Sequence, residues 1–264
     1  MSNASSSAQI QAKPADDSST VPWNPWLGAL FTIFLFIGAQ FAASVLILLI
    51  PQVAGWSTAE TKQWLNNSLL SRIIFLSLTT VFILAPLHFY LKRHNVGYKI
   101  LGLRKPQWLD LAWSLAALPL YILTFAISVA VIKHLAPGLD VNQSQDLGFN
   151  ATYNAGQLFF IAIALVILPP ITEEIIFRGM LYGSLKKGLP ILIAALVTSL
   201  LFAAGHLLEG GDGGLLYIAG IDTFVLSLIL VGLREVSGGL WSCIGLHAIK
   251  NGIAFVTLFI LHAR

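Results

Sequence analysis

The sequence predicts an all-α fold: a polytopic bundle of about seven membrane-spanning helices, with room for an eighth. Three observations carry this. Of the 264 residues, 56% are hydrophobic and only 10% are charged, whereas soluble chains carry about 25% charged residues. Mean hydropathy is +0.80. The apolar residues fall into runs of about twenty, the length a helix needs to cross a bilayer. The net charge of +3 is small, and no basic cluster suggests nucleic acid as a partner. The implied partner is membrane lipid. The single cysteine, Cys243, allows no intrachain disulfide and reads as a small buried helical residue.

Residues 1–22 are rich in Ser, Ala, Asp and Gln and predict a disordered tail. They lack the basic start and short apolar stretch of a cleaved signal peptide. Residues 23–264 then form one multi-spanning domain, opened by Trp23 and Trp26 as interfacial anchors. Candidate spans run at about 27–50, 73–91, 109–133, 157–185, 190–208, 215–233 and 239–262. Between the first two, Ser57-Thr58-Ala59-Glu60 has the form of a helix start, so a re-entrant or interfacial helix is expected near 56–68. Pro169-Pro170 should kink or restart the fourth span, with Ile171 or Thr172 opening the new turn.

Lys92, Arg93, Lys99, Arg104 and Lys105 crowd the loop after the second span, and Lys186, Lys187 and Arg234 follow the fourth and sixth. The loops 134–157 and 209–214 hold neither Lys nor Arg, while Lys62 and Arg72 dissent mildly. By the positive-inside rule the amino terminus is cytoplasmic and the carboxyl terminus lies outside. A compact chain of this kind is expected in a prokaryotic cell membrane.

Polar residues inside the spans are expensive and mark function by default. Glu173 and Glu174 sit in the fourth span, with Arg178 four residues after the second glutamate. Glu174 and Arg178 share a helix face. Glu173 points about 100° away, so Arg178 neutralises Glu174 and Glu173 is left to face a cavity as a general base. His206 lies one turn beyond Phe202, and His247 and Asn251 share a face of the last span. His247 and Asn251 are suited either to hold an oxyanion or to tie helices together. If adjacent spans mirror about their turns, Glu173 is level with Ala203, Asn251 with Leu201 and His247 with Val197. The polar groups then spread over roughly 13 Å of depth. The same mirror sets Asp222 opposite Lys250, predicting an ion pair between the last two spans.

Glu173-Glu174-Ile175-Ile176-Phe177-Arg178, Phe202-Ala203-Ala204-Gly205-His206 and His247-Ala248-Ile249-Lys250-Asn251 resemble the EExxxR, FxxxH and HxxxN motifs of the CAAX prenyl endopeptidase and bacteriocin-processing (CPBP) family of intramembrane proteases. The resemblance covers about 158–262, the expected protease-like core. It implies that Glu173 and His206 activate water, that His247 and Asn251 stabilise the tetrahedral oxyanion, and that Glu174, Arg178 and Phe202 support them. Asp222 and Lys250 lie outside the motif roles and are read as structural. No cofactor is expected. Glu173, His206 and His247 would make an acceptable zinc set, but the neighbouring Asn251 fits an oxyanion site better. The alternative on the same fold is a non-proteolytic scaffold or a bacteriocin self-immunity protein.

Overall fold

A computed structural model describes residues 21–141, 143, 153–207 and 214–261. The tail expected to be disordered therefore lies outside the described residues, apart from Val21 and Pro22, as do most of the fourth-span approach and the loop expected at 209–214 apart from Gly214. The described residues form helices α1 (Pro25–Val53), α2 (Thr58–Asn67), α3 (Leu69–Arg93), α4 (Trp108–Leu135), α5 (Ala155–Leu185), α6 (Ile191–Leu207), α7 (Tyr217–Ser237) and α8 (Trp241–Leu261). Six are long and apolar enough to cross a membrane, and α6 is a shorter apolar helix. All seven coincide with the apolar runs. The chain is thus a polytopic helical membrane protein, and α2 is the extra helix, too short and polar to span.

Local chemistry sets the helix starts. Asn24 caps α1 by accepting from the backbone of Trp26 and Leu27, with Pro25 at the first helical position. Ser57 and Glu60 form a reciprocal capping box on α2. That contact holds the exposed Glu60 carboxyl below the usual carboxylate range. Trp23 donates from its indole to Ser184 Oγ at 2.9 Å, tying the start of α1 to the end of α5. Arg104 and Asp110 pair at the entry to α4, and Ser242 reaches the same carboxylate from the start of α8 at 3.1 Å.

Two apolar clusters result. One joins α1, α3, α5 and α6 around Ile176, Met180, Tyr182, Phe177 and Phe202. The other joins α4, α7 and α8 around Leu226, Leu230, Cys243 and Leu246. Cys243 is fully buried, as its sequence context suggests. Outward faces keep large apolar side chains such as Phe34, Phe41, Leu115 and Leu123 exposed, the surface lipid covers.

The fourth span does not break at its prolines. α5 runs through as alternating α and π stretches, with π turns at Ile163–Ile167 and Glu174–Leu181. The α segment between them begins at Leu168, not at Ile171 or Thr172, so the prolines occupy its first turn. Proline is tolerated there because that turn has no amide bond to lose within the segment. The π turn upstream takes up the mismatch.

Candidate active site

The second π stretch carries the charged residues, and every one of its side chains is buried. Arg178 Nη1 lies 2.9 Å from Glu174 Oε1, and neither side chain has any exposed surface. The face-sharing expected from the i, i+4 spacing is realised. The Arg178 guanidinium also lies 4.3 Å from the centre of the Phe202 ring, a cation–π contact of the desolvated kind.

Phe202 is the packing hub. Its ring stands edge-on to Phe177 at 4.9 Å, 4.6 Å from the His206 ring and 6.1 Å from the His247 ring. His206 donates from Nδ1 to the carbonyl of Phe202, one turn back, at 2.9 Å. A carbonyl only accepts, so Nδ1 carries the proton and Nε2 is left as an acceptor.

His247 is held between the two glutamates. Its Nδ1 lies 2.9 Å from Glu174 Oε1, the oxygen that also accepts from Arg178. Its Nε2 lies 3.9 Å from Glu173 Oε2. Glu173 is about one-fifth exposed while Glu174 is not exposed at all. Glu173, expected from the sequence to face a cavity, has the His247 ring beside it. The expected depth of His247 is corrected. A straight-helix mirror ignores the π stretch at Glu174–Leu181, which lies between Glu173 and the turn the mirror uses.

Asn251 has a partner the sequence reading did not foresee. Its Nδ2 donates to the carbonyl of Leu165 at 3.0 Å. That carbonyl needs a donor. Its α partner would be the amide of residue 169 and its π partner that of residue 170, and both are prolines without an N–H. Asn251 replaces the missing backbone bond. The signal was present in the Pro169-Pro170 pair, since a carbonyl orphaned inside a membrane demands a side-chain donor.

Lys250 Nζ lies 2.9 Å from Asp222 Oδ2, as the mirror about the turn near 236 implied. The other Asp222 oxygen accepts the Tyr121 hydroxyl from α4, a partner that sequence spacing could not reveal. Among the described residues, no group of three or more His, Cys, Asp or Glu is arranged to hold a metal ion. Glu173 and His247 converge, while Nδ1 of His247 is bonded to Glu174 and Nδ1 of His206 to its own helix.

Glutamates, histidines and an arginine gathered in the core of a helical bundle define the class: a multi-pass membrane protein with an ionisable, hydrogen-bonded centre. Residues 155–253 match the family described as type II CAAX prenyl endopeptidase Rce1-like. This stretch contains all three motifs, and over it the chain is similar to that family. Comparison with curated proteins and with solved structures gave no match. At family level, the match supports a CAAX-protease-like membrane endopeptidase.

Proposed function

We propose that the protein is an intramembrane endopeptidase that hydrolyses a peptide bond of a membrane-associated protein or peptide without a metal. The observation that carries this reading is the His247 imidazole seated between Glu174 and Glu173, at the depth of the two glutamates. A carboxylate beside a fixed imidazole, in water-poor surroundings, is a base and donor pair suited to acyl transfer.

Each residue then has a task. Glu173 takes a proton from water as the water oxygen attacks the scissile carbonyl carbon. His206, its Nε2 an acceptor, orients that water by its second hydrogen. Glu174, paired with Arg178, fixes the Nδ1–H of His247, much as a buried carboxylate fixes the histidine of a hydrolytic triad. His247 in its imidazolium form donates from Nε2 to the oxyanion. Asn251 keeps one amide hydrogen on Leu165 and has a second to offer the oxyanion. Glu173 finally passes its proton to the leaving nitrogen as the carbon–nitrogen bond breaks, yielding a carboxylic acid and an amine.

On this reading the protein sits in a prokaryotic cell membrane with its amino terminus cytoplasmic. The test is cleavage and trapping in native membranes. Glu173→Gln should abolish turnover, leave the protein folded, and accumulate an uncleaved membrane protein that wild type removes. Identical membrane protein profiles for wild type and Glu173→Gln would remove the hydrolytic reading and favour a scaffold or self-immunity role.

A further inference from the structure

The last helix is anchored from two sides. Toward α5, Asn251 bonds the Leu165 carbonyl. Toward α7, Lys250 pairs with Asp222 at 2.9 Å, and Asp222 is in turn held by the Tyr121 hydroxyl of α4. Tyr121 is 6% exposed, and the ion-pair side chains are 24% and 16% exposed. The hydrolytic chemistry uses none of these three residues.

Their place on α8 matters. Lys250 is three residues after His247 and one before Asn251. At 3.6 residues per turn, Lys250 lies about 60° to one side of His247 and Asn251 about 40° to the other. The two anchors therefore straddle the histidine. A side-chain tip lies about 5–6 Å from the helix axis, so a 20° rotation of α8 moves it by about 2 Å. That is enough to break the 2.9 Å contact between His247 and Glu174.

Apolar packing alone fixes such a rotation poorly. The α4–α7–α8 cluster is made of smooth side chains such as Ala117, Val225, Leu226 and Leu246, and α8 itself passes into a π stretch at Val256–Leu261. A buried ion pair adds little stability over well-packed apolar residues, and its best-attested use is to fix register. We propose that Tyr121 and Asp222 are positioning residues, which through Lys250 set the rotation of α8 and so hold the His247 imidazole between Glu174 and Glu173. Its consequence for rate rests on the hydrolytic reading above.

The experiment compares Tyr121→Phe and the double variant Asp222→Leu/Lys250→Met with wild type. Tyr121→Phe removes one hydroxyl, and the double variant removes both charges together and strands neither. Thermal stability should stay close to wild type or rise in the double variant. In contrast, kcat should fall about 10-fold in Tyr121→Phe and about 100-fold in the double variant with KM unchanged, since a 1 Å misplacement costs on the order of 10²-fold. The second readout does not need turnover. Nitrogen-15 NMR of histidine-labelled protein should show the Nδ1–H bond of His247 to Glu174 in wild type and its loss or averaging in both variants. Wild-type kcat with unchanged His247 resonances in both variants overturns the proposal. A wild type without peptidase activity sinks the hydrolytic reading alone, and the His247 resonances then decide the positioning role.

Discussion

Arg178→Met is the sharpest test of the buried centre. The substitution keeps much of the side-chain volume and removes the cation from Glu174, which lies 2.9 Å away with no exposed surface. Removing one partner of a buried pair costs about 3–5 kcal/mol. Two features place the loss at the lower end. Only one of the five guanidinium N–H groups bonds to Glu174, so no bidentate fork is lost. A stranded carboxylate can also escape by taking up a proton. From the ordinary glutamate value near 4.3, doing so at pH 7 costs about 3.7 kcal/mol, which caps the penalty. The expected loss is about 3–4 kcal/mol, or roughly 6–16 °C in Tm at about 2–4 °C per kcal/mol for a chain near this size. The assay is thermal unfolding of purified protein in detergent. The double variant Arg178→Met/Glu174→Gln should recover most of the loss, since no charge is then stranded. A Tm within about 1 °C of wild type for Arg178→Met alone would refute the reasoning, because the pair would then be hydrated.

Two further outcomes follow from the hydrolytic reading. His247→Ala and Asn251→Ala should each lower kcat by about 10²–10³, the usual loss for one oxyanion donor. Both should also lower Tm, Asn251→Ala by uncovering the Leu165 carbonyl and His247→Ala by emptying a buried site and removing a bond to Glu174. Kinetic assays beside thermal melts separate the two effects. Prolonged 1,10-phenanthroline should leave cleavage intact, and purified protein should hold no stoichiometric zinc. Inhibition reversed specifically by zinc would recast Glu173, His206 and His247 as ligands.

Sequence was most informative where one helix decides the outcome alone. Apolar runs located every span, because length and hydropathy are local properties. Ser57 and Glu60 announced α2, because a capping box closes within four residues. Glu174 and Arg178 were paired by helical spacing. Asp222 and Lys250 could be paired across two helices because only a short turn separates α7 from α8, so little register error accumulates. The depth of His247 was misjudged because it depends on α5 and α8 together. The π stretch at Glu174–Leu181 intervenes, and it is not written in a hydropathy pattern. The Tyr121 contact with Asp222 was invisible for the same reason: α4 and α7 are far apart in sequence, and their register is set by packing.

The Leu165 carbonyl has a consequence for how the protein is made. Helices enter the bilayer in chain order, so α5 is in lipid before α8 has been synthesised. Until then the prolines leave a carbonyl with neither an amide nor water to bond, at a cost of several kcal/mol in hydrocarbon. The fourth span is therefore an unfinished element until Asn251 arrives on the final helix. Docking α8 supplies that missing bond and seats His247 beside the glutamates in one event. On the hydrolytic reading, the membrane would thus hold no half-built chain with a working centre: assembly of the bundle and arming of the site would be the same step.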